Sequence, residues 1–543
     1  MPVTMKSHYS FDQFIRVRDS LDYANNPFLI EVLKSFSEED LDKHADDIYN
    51  FSHKVSTKWK RFVESNARVE NHPQLRQYDA YNHRIDEIVR PYEMQVIEQE
   101  VSNEKLFSKH TSSEIQAVKR FLLHHNGEAG TMCALACTDG LVAILRQFED
   151  ELSTELERIL LHCTEGIDGE VALGAQFMSE IQGGSNIPAN VLEAVQEGNH
   201  YQLYGNKFFC SAAHTDYSVV TARVKDTEYV TTFIVPTWKN SDDKAQKRRN
   251  GHVVNRLKWK LGTCELPSGE INYEGAIAYP IGPIEKGVAN AVAIVLTRSR
   301  LDIAFASSAF LMRASREASL YAHFRDVFDR KIDEFPMAKA QLVKLEDAAK
   351  RTTATAFHIY KQYTHINQLI EKGEMSQEIQ LKHFQIRELI LLQKVFAAEE
   401  AVDQLRVAIS IFGGHGAIED FTSIPRLYRD AMVNELWEGP RNVLLAQVYR
   451  DLYKRKDTFT PSVFVQELLP NIDAQEKQAF ISRLSQLLGS QLYGPPTDEN
   501  IKAAEEWELL MRELFRTYQE QILKQYPEKS LLPEQILDKV NVR

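Results

Sequence analysis

Cysteine is scarce: Cys133, Cys137, Cys163, Cys210 and Cys264 are all there is in 543 residues. An odd number, spread thinly over a long chain, excludes the disulfide framework that staples small secreted domains. Cys133 and Cys137 stand one helical turn apart, but no convincing set of further ligands lies near them. They read as small residues packed inside a helix, and no metal site is expected. No run of about 18 uncharged apolar residues is present, so no membrane-spanning helix and no membrane insertion are expected. The opening MPVTMKSHYS has no apolar run of the secretory kind, and the expected location is cytoplasmic, or the mitochondrial matrix in a eukaryote. Excess positive charge is missing too. Lys and Arg number 64 against 77 Asp and Glu, a formal net charge of −13, and such a field repels phosphate backbones. The basic run Lys244 to Arg249 (KAQKRR) reads as a solvated loop tip. Residues 451–543 carry 12 basic and 15 acidic residues, a net of −3, so nucleic acid is not an expected partner. Internal repeats and low-complexity tracts are also missing.

What the chain does have is a change of period along its length. About three or four domains follow from size alone. Residues 1–170 are mostly helical in pattern, with Ile115, Val118, Leu122 and Leu123 recurring at three and four. From 171 to 285 the chain turns to short β-branched and aromatic runs (YQLYG, DYSVVTARV, YVTTFIVPT) separated by Gly, Pro, Asn and Asp, the pattern of an antiparallel all-β unit. A hairpin is expected to turn at Glu197-Gly198-Asn199. Helical periodicity returns over 286–455, with one long helix starting after Pro336 and stopping at Gly373, and another running to Gly413-Gly414. Residues 456–543 read as a helical extension. Thr460 before Pro461 is placed to start its first helix, and Trp507, Leu510, Leu514, Tyr518 and Ile522 form one apolar stripe.

Four segments carry residue types suited to chemistry. GAQFMSEIQGGSN (174–186) pairs two glycines with Ser179 and Ser185, hydroxyls and open backbone N–H groups at a strand end that can cradle phosphate or a flat ring. In GNKFFCSA (205–212), Phe209 and Ser211 share one face of a strand, so ring surface and a hydroxyl point the same way. FGGHG (412–416) is a tight exposed turn after a long helix. RDAMVNELWEGPRN (429–442) sets Glu438 between Trp437 and Gly439, where a large aromatic can desolvate a carboxylate and raise its pKa toward that of a useful base. Each taken alone is equally a surface turn, a core phenylalanine, a helix stop or an ordinary glutamate.

In this order and at these spacings, over roughly residues 70–450, they resemble the acyl-CoA dehydrogenase family. The resemblance implies an α+β fold: a helical N-terminal domain, an antiparallel β middle domain and a C-terminal four-helix bundle, here followed by the helical extension. Phe208-Phe209, Trp437, Asn442 and the stretch YDAYNHRID (78–86) resemble the family's AidB-like, alkylation-response branch. It implies FAD as cofactor, with Met178 and Ser179 at the ring edge, Ser185 at the pyrophosphate, Phe209 against the flavin and Ser211 at its reactive nitrogen. Trp437 is implied to bind the cofactor as well, and Asn442 to lie near the FAD phosphates or adenosine side. Arg325 and Phe328 (in RDVF), with Gly413 and Gly414, are implied to reach the FAD of a neighbouring subunit, and so a homo-oligomer, a tetramer or alternatively a dimer. Glu438 matches the proton-abstracting base. Ser185, Arg300, Glu438 and Gly439 match positions near the acyl-CoA substrate. The implied reaction is α,β-dehydrogenation of an acyl-CoA thioester, with an electron-transferring flavoprotein as acceptor. The alternative is an AidB-like flavoprotein that binds acyl-CoA or another ligand in a stress or regulatory role. Asn186, Asp329, Ser410 and Pro440 depart from the family's usual residues, and Ser299 stands where a minority of members place their base.

Overall fold

Capping side chains decide where the N-terminal helices begin. Asn26 Oδ1 accepts from Leu29 N at 3.0 Å at the head of the helix Pro27–Lys54. Ser112 and Ser153 do the same for Ser113–His124 and Thr154–Thr164, each cap stabilising its helix by about 1 kcal/mol. Glu128 caps Ala129–Gln147 with both oxygens, accepting from Gly130 N at 2.9 Å and Thr131 N at 2.7 Å. The computed structural model describes residues 9–239, 248–490, 492 and 494–540, the side chains at 38, 40 and 41 apart. Among these, the helix Ala129–Gln147 is long and apolar enough to cross a membrane by length and composition, but its apolar window is 83% buried inside the fold. It is a core helix: Arg120, on the neighbouring helix, reaches Asp139 on it at 2.7 Å and Asp302 on the bundle at 2.9 Å.

The N-terminal region is not helical throughout. Strands β1 (Gln74–Tyr78) and β2 (Arg84–Val89) form an antiparallel hairpin built on the YDAYNHRID stretch. Asp79 Oδ1 makes its turn by accepting from Tyr81 N and His83 N. Periodicity missed it because both faces are largely wet, so the alternation of polar and apolar residues is weak. The hairpin leans on the β region, where buried Asp86 accepts from Val254 N at 3.0 Å.

The middle region is a seven-stranded sheet of β3 (Gly174–Phe177), β4 (Glu193–Glu197), β5 (His200–Ser211), β6 (Tyr217–Val224), β7 (Val230–Pro236), β8 (His252–Leu257) and β9 (Ser268–Pro280). The order is β3-β6-β4-β5-β9-β7 with β8 on β9, and a β6–β7 pairing closes the circuit. Most neighbours run antiparallel; β3–β6 and β4–β6 run parallel, as the long chain between them allows. The β4–β5 hairpin turns at Gly198, whose φ of +61° suits glycine. Lys244 to Lys247 of the basic run lie outside the described residues. Arg249 is not on a solvated tip: its guanidinium sits 4.9 Å over the Trp238 ring.

The helices Thr297–Phe324, Pro336–Glu371, Gln377–Phe412 and Arg441–Arg455 form the C-terminal bundle. Gly373 at φ +85° and Gly413 at φ +57° stop two of them. In the extension Thr460 Oγ1 caps Pro461–Leu468. The stripe Trp507, Leu510, Leu514, Tyr518 and Ile522 of Asp498–Leu523 is buried on the two longest bundle helices. Trp507 Nε1 donates to Leu445 O at 3.0 Å.

Candidate functional site

Strand β3, the bundle helices Thr297–Phe324 and Gln377–Phe412 and the turn after Ile424–Asn434 converge on Glu438. That turn is strained: Glu438 has φ +58°, rare for a residue with a Cβ, and Gly439 has φ +108°. Two buried cations hold it. Lys394 Nζ donates to Glu435 O at 2.8 Å and Gly439 O at 2.6 Å. Arg300 Nε donates to Glu438 O at 3.0 Å. Burial draws Lys394 down to about 7 and Arg300 down to about 10, in each case against the pull of Glu438.

The Glu438 carboxyl is raised above the ordinary carboxylate range, first by burial, opposed by Arg300 and Lys394. Its Oε1 accepts from Gln176 Nε2 at 2.6 Å, and the same nitrogen lies 3.2 Å from Ser299 Oγ. Glu438, Trp437 and Ser299 line a cavity of about 60 Å³ that runs between helices Ala129–Gln147 and Thr297–Phe324. Cys133 and Cys137 line it too, so they face a cavity as well as packing inside a helix. No local pattern singles out Gln176 or Lys394, which stand far along the chain from Glu438. Gln176 carries one faint mark, a polar side chain between Ala175 and Phe177 on a buried strand.

The residues of the glycine loop and of β5 sit beside this point. Gln176 leads directly into Met178 and Ser179, and Phe208 N donates to Ser179 O at 2.9 Å, tying loop to strand. A buried ion pair fixes the loop from beneath: Lys207 Nζ donates to Glu180 Oε1 at 2.9 Å and Met178 O at 3.1 Å. Glu180 in turn accepts from Val191 N and Leu192 N. At Gly184 a Cβ would come 2.5 Å from Ser179 Oγ, so a larger residue there would have to turn that hydroxyl aside. Ser185 is exposed, and Phe209 is half-exposed on the outer face of β5. Ser211 Oγ is 3.0 Å from Ser268 Oγ. Nearby Trp259 is 90% exposed, and Trp437 Nε1 is buried without a partner. Exposed aromatic faces, free hydroxyls and an orphaned indole N–H fit a flat, hydrogen-bonding cofactor such as FAD. Asn442 is exposed at the head of Arg441–Arg455, its Oδ1 accepting from Val443 N.

Arg325, Phe328, Gly413 and Gly414 are not part of this cluster. They lie at the far end of Thr297–Phe324, and the 25 residues from Arg300 to Arg325 span roughly 37 Å. There Arg325 stacks over Tyr9 at 4.5 Å, Phe328 is 87% exposed, and Tyr321 Oη pairs with His415 Nδ1 at 2.9 Å. A single chain thus joins the Met178-Ser179 loop to Glu438 through β3 and holds Arg325, Phe328, Gly413 and Gly414 apart from it.

Residues 285–453 match the acyl-CoA dehydrogenase C-terminal domain, and residues 13–164 match the adaptive response protein AidB N-terminal domain. Acyl-CoA dehydrogenase family member 11 of Caenorhabditis elegans is 28% identical over 89% of this chain and 80% of its own. The putative acyl-CoA dehydrogenase AidB of Escherichia coli is 25% identical over 90% of this chain and 88% of its own. A Caenorhabditis elegans protein solved in complex with C11-CoA has the same fold, with a TM-score of 0.79 over 95% of this chain and 90% of that one at 24% identity. The two domain matches, the relatives that span nearly the whole chain and the shared fold agree: the chain belongs to the acyl-CoA dehydrogenase family and carries the AidB type of N-terminal domain.

Proposed function

We propose that the protein is an FAD-dependent acyl-CoA dehydrogenase that introduces an α,β double bond into an acyl-CoA thioester, with Glu438 as the base. One observation carries this reading: a carboxylate of raised proton affinity lines a cavity beside a glycine loop and a half-exposed aromatic strand. Met178, Ser179, Ser185, Phe209, Ser211, Trp437 and Asn442 would hold FAD, with Arg325, Phe328, Gly413 and Gly414 supplied by a second copy in a homo-oligomer. When bound, FAD would supply the acceptor for the hydride that leaves the β-carbon. Glu438 takes the α-proton, and its raised pKa makes it a stronger base than an exposed glutamate. Gln176 aims the carboxylate, and Lys394 and Arg300 hold the turn, so the base is positioned before the substrate arrives. The cavity walls exclude water from the α-carbon. An electron-transferring flavoprotein fits as the acceptor that completes turnover.

A second reading, a flavoprotein that binds acyl-CoA without dehydrogenating it, is favoured by the Gln176 contact, which occupies one oxygen of the base. Anaerobic mixing of the yellow holoprotein with a panel of acyl-CoA thioesters separates the two. Bleaching of the flavin supports the dehydrogenase, and a spectral shift without bleaching supports the binder. Glu438→Gln is expected to keep FAD and fold while slowing bleaching by at least about 10²-fold, the lower end of what a general base contributes. Bleaching at the parental rate would remove Glu438 from the role.

A further inference from the structure

The cavity changes character along its length. Cys137 and Ala129 both line it and lie on one helix, eight residues or roughly 12 Å apart. Asn434 and Asp430, one turn apart, carry the opposite wall from the Trp437 end in the same direction. At the Cys137 end sits Glu438. At the Ala129 end the lining turns acidic, with Glu128 and Asp430 in the wall and Glu265 just behind, its Oε1 accepting from Ala129 N at 2.9 Å. All three carboxyls are buried.

The cations near this end give their shortest hydrogen bonds to other oxygens. Arg426 donates to Gly127 O at 2.6 Å and Asn126 O at 2.7 Å, and only its longer contact, 3.4 Å, reaches Asp430. Lys260 donates to Leu266 O and Ser268 Oγ, each at 2.9 Å. Burial, and after it repulsion from the Glu265 carboxylate, raises both Glu128 and Asp430 to about 7, the behaviour of carboxylates crowded by like charge. An independent feature marks the same place. Thr263, 2% exposed, lines the cavity, and its Oγ1 finds no protein partner. Its N–H is already given to Asp430 Oδ1. Asn434 Nδ2, one turn nearer Glu438, is likewise unpartnered, so single polar atoms interrupt a wall otherwise built of Ala129, Met132, Ile303, Ala306 and Phe310. A buried polar group without a partner is destabilising, and the Thr263 oxygen would be satisfied by a ligand that brings its own N–H donor.

We propose that the acyl chain this cavity takes ends in a protonated amine, held at its far end by Glu128, Asp430 and the Thr263 hydroxyl. The proposal rests on the acyl-CoA reading of the Glu438 site and names the substrate class within it. An ammonium supplies a counter-ion and donates three hydrogen bonds.

The test compares three thioesters of equal length on the FAD-loaded protein by isothermal titration calorimetry: ω-aminooctanoyl-CoA, ω-hydroxyoctanoyl-CoA and nonanoyl-CoA. The amino-ended thioester is expected to bind at least about 10-fold more tightly than the methyl-ended one, the size of a charge-assisted hydrogen bond. Glu128→Gln and Asp430→Asn should each weaken binding of the amino-ended thioester by more than binding of nonanoyl-CoA, so that the preference falls. Because Glu128 also caps a helix, Thr263→Val serves as a third variant that keeps shape and removes only the hydroxyl. Equal or tighter binding of nonanoyl-CoA, or tightest binding of the hydroxy-ended thioester, overturns the proposal and leaves the acyl-CoA reading standing. Binding of none of the three overturns both.

Discussion

Gln176 sets how basic Glu438 can be. Its Nε2 hydrogen bond at 2.6 Å stabilises the carboxylate and lowers a pKa that burial raises. Gln176→Leu removes that donor, so the carboxyl should hold its proton to higher pH. Flavin reduction needs Glu438 deprotonated, so its rate should rise with pH in the parent, and the rise should shift to higher pH in Gln176→Leu. A pH–rate profile measured by stopped flow checks this, and an unmoved profile would make Gln176 merely structural. At this scale the sequence showed Glu438 and its neighbours because they are contiguous in LWEG, and Ser179, Ser185 and Phe209 because glycine and aromatic runs mark them. It could not show Gln176, Lys394 or the acidic end of the cavity, since those contacts join residues far apart in the chain and no local pattern encodes a meeting between β3 and a turn at 438.

At the scale of elements, the glycine loop owes its shape to Lys207 and Glu180. Both side chains are buried, and between them they satisfy the Met178 carbonyl and the N–H groups of Val191 and Leu192. Lys207→Met leaves the carboxylate without its cation. Removing one partner of a buried pair is destabilising by about 3–5 kcal/mol, so thermal unfolding should fall clearly and FAD affinity should fall with it. Replacing Glu180 and Lys207 together by apolar residues should recover part of the stability but not the loop, because Val191 N and Leu192 N then lose their acceptor. Calorimetry and FAD titration on both variants check the pair, and an unchanged melting temperature for Lys207→Met would show the contact to be incidental. Elements bounded by local chemistry were legible in advance: the β4–β5 turn at Gly198, the long helices stopped by Gly373 and Gly413, and the Thr460–Pro461 start. The β1–β2 hairpin was not, because neither face is dry enough to leave an alternating pattern, and the parallel partners of β6 follow from closure of the sheet rather than from any one strand.

The whole molecule divides the residues proposed to hold FAD between two places. Ser179, Phe209 and Trp437 gather near Glu438, whereas Arg325, Phe328 and the Gly413-Gly414 turn lie roughly 37 Å along the Thr297–Phe324 helix. No single cofactor bound to one chain can touch both. If both groups serve FAD, a second copy must lay its far end against the first copy's glycine loop, and isologous pairing then completes two sites at once. Phe328 is built for such a contact: it sits at φ +52° and is 87% exposed, a large apolar side chain held out on a tight turn. Left to water it gains nothing, but buried against a partner it would contribute about 1.5–3 kcal/mol. Sedimentation of the FAD-loaded protein should therefore give a species of at least twice the 62.4 kDa chain mass. Phe328→Asp should shift it toward monomer and release FAD together, while leaving the melting of the monomeric fold unchanged. An FAD-loaded monomer, or a Phe328→Asp protein that dissociates and yet keeps its flavin, would show that the far-end residues serve some other contact and that one chain holds its cofactor alone.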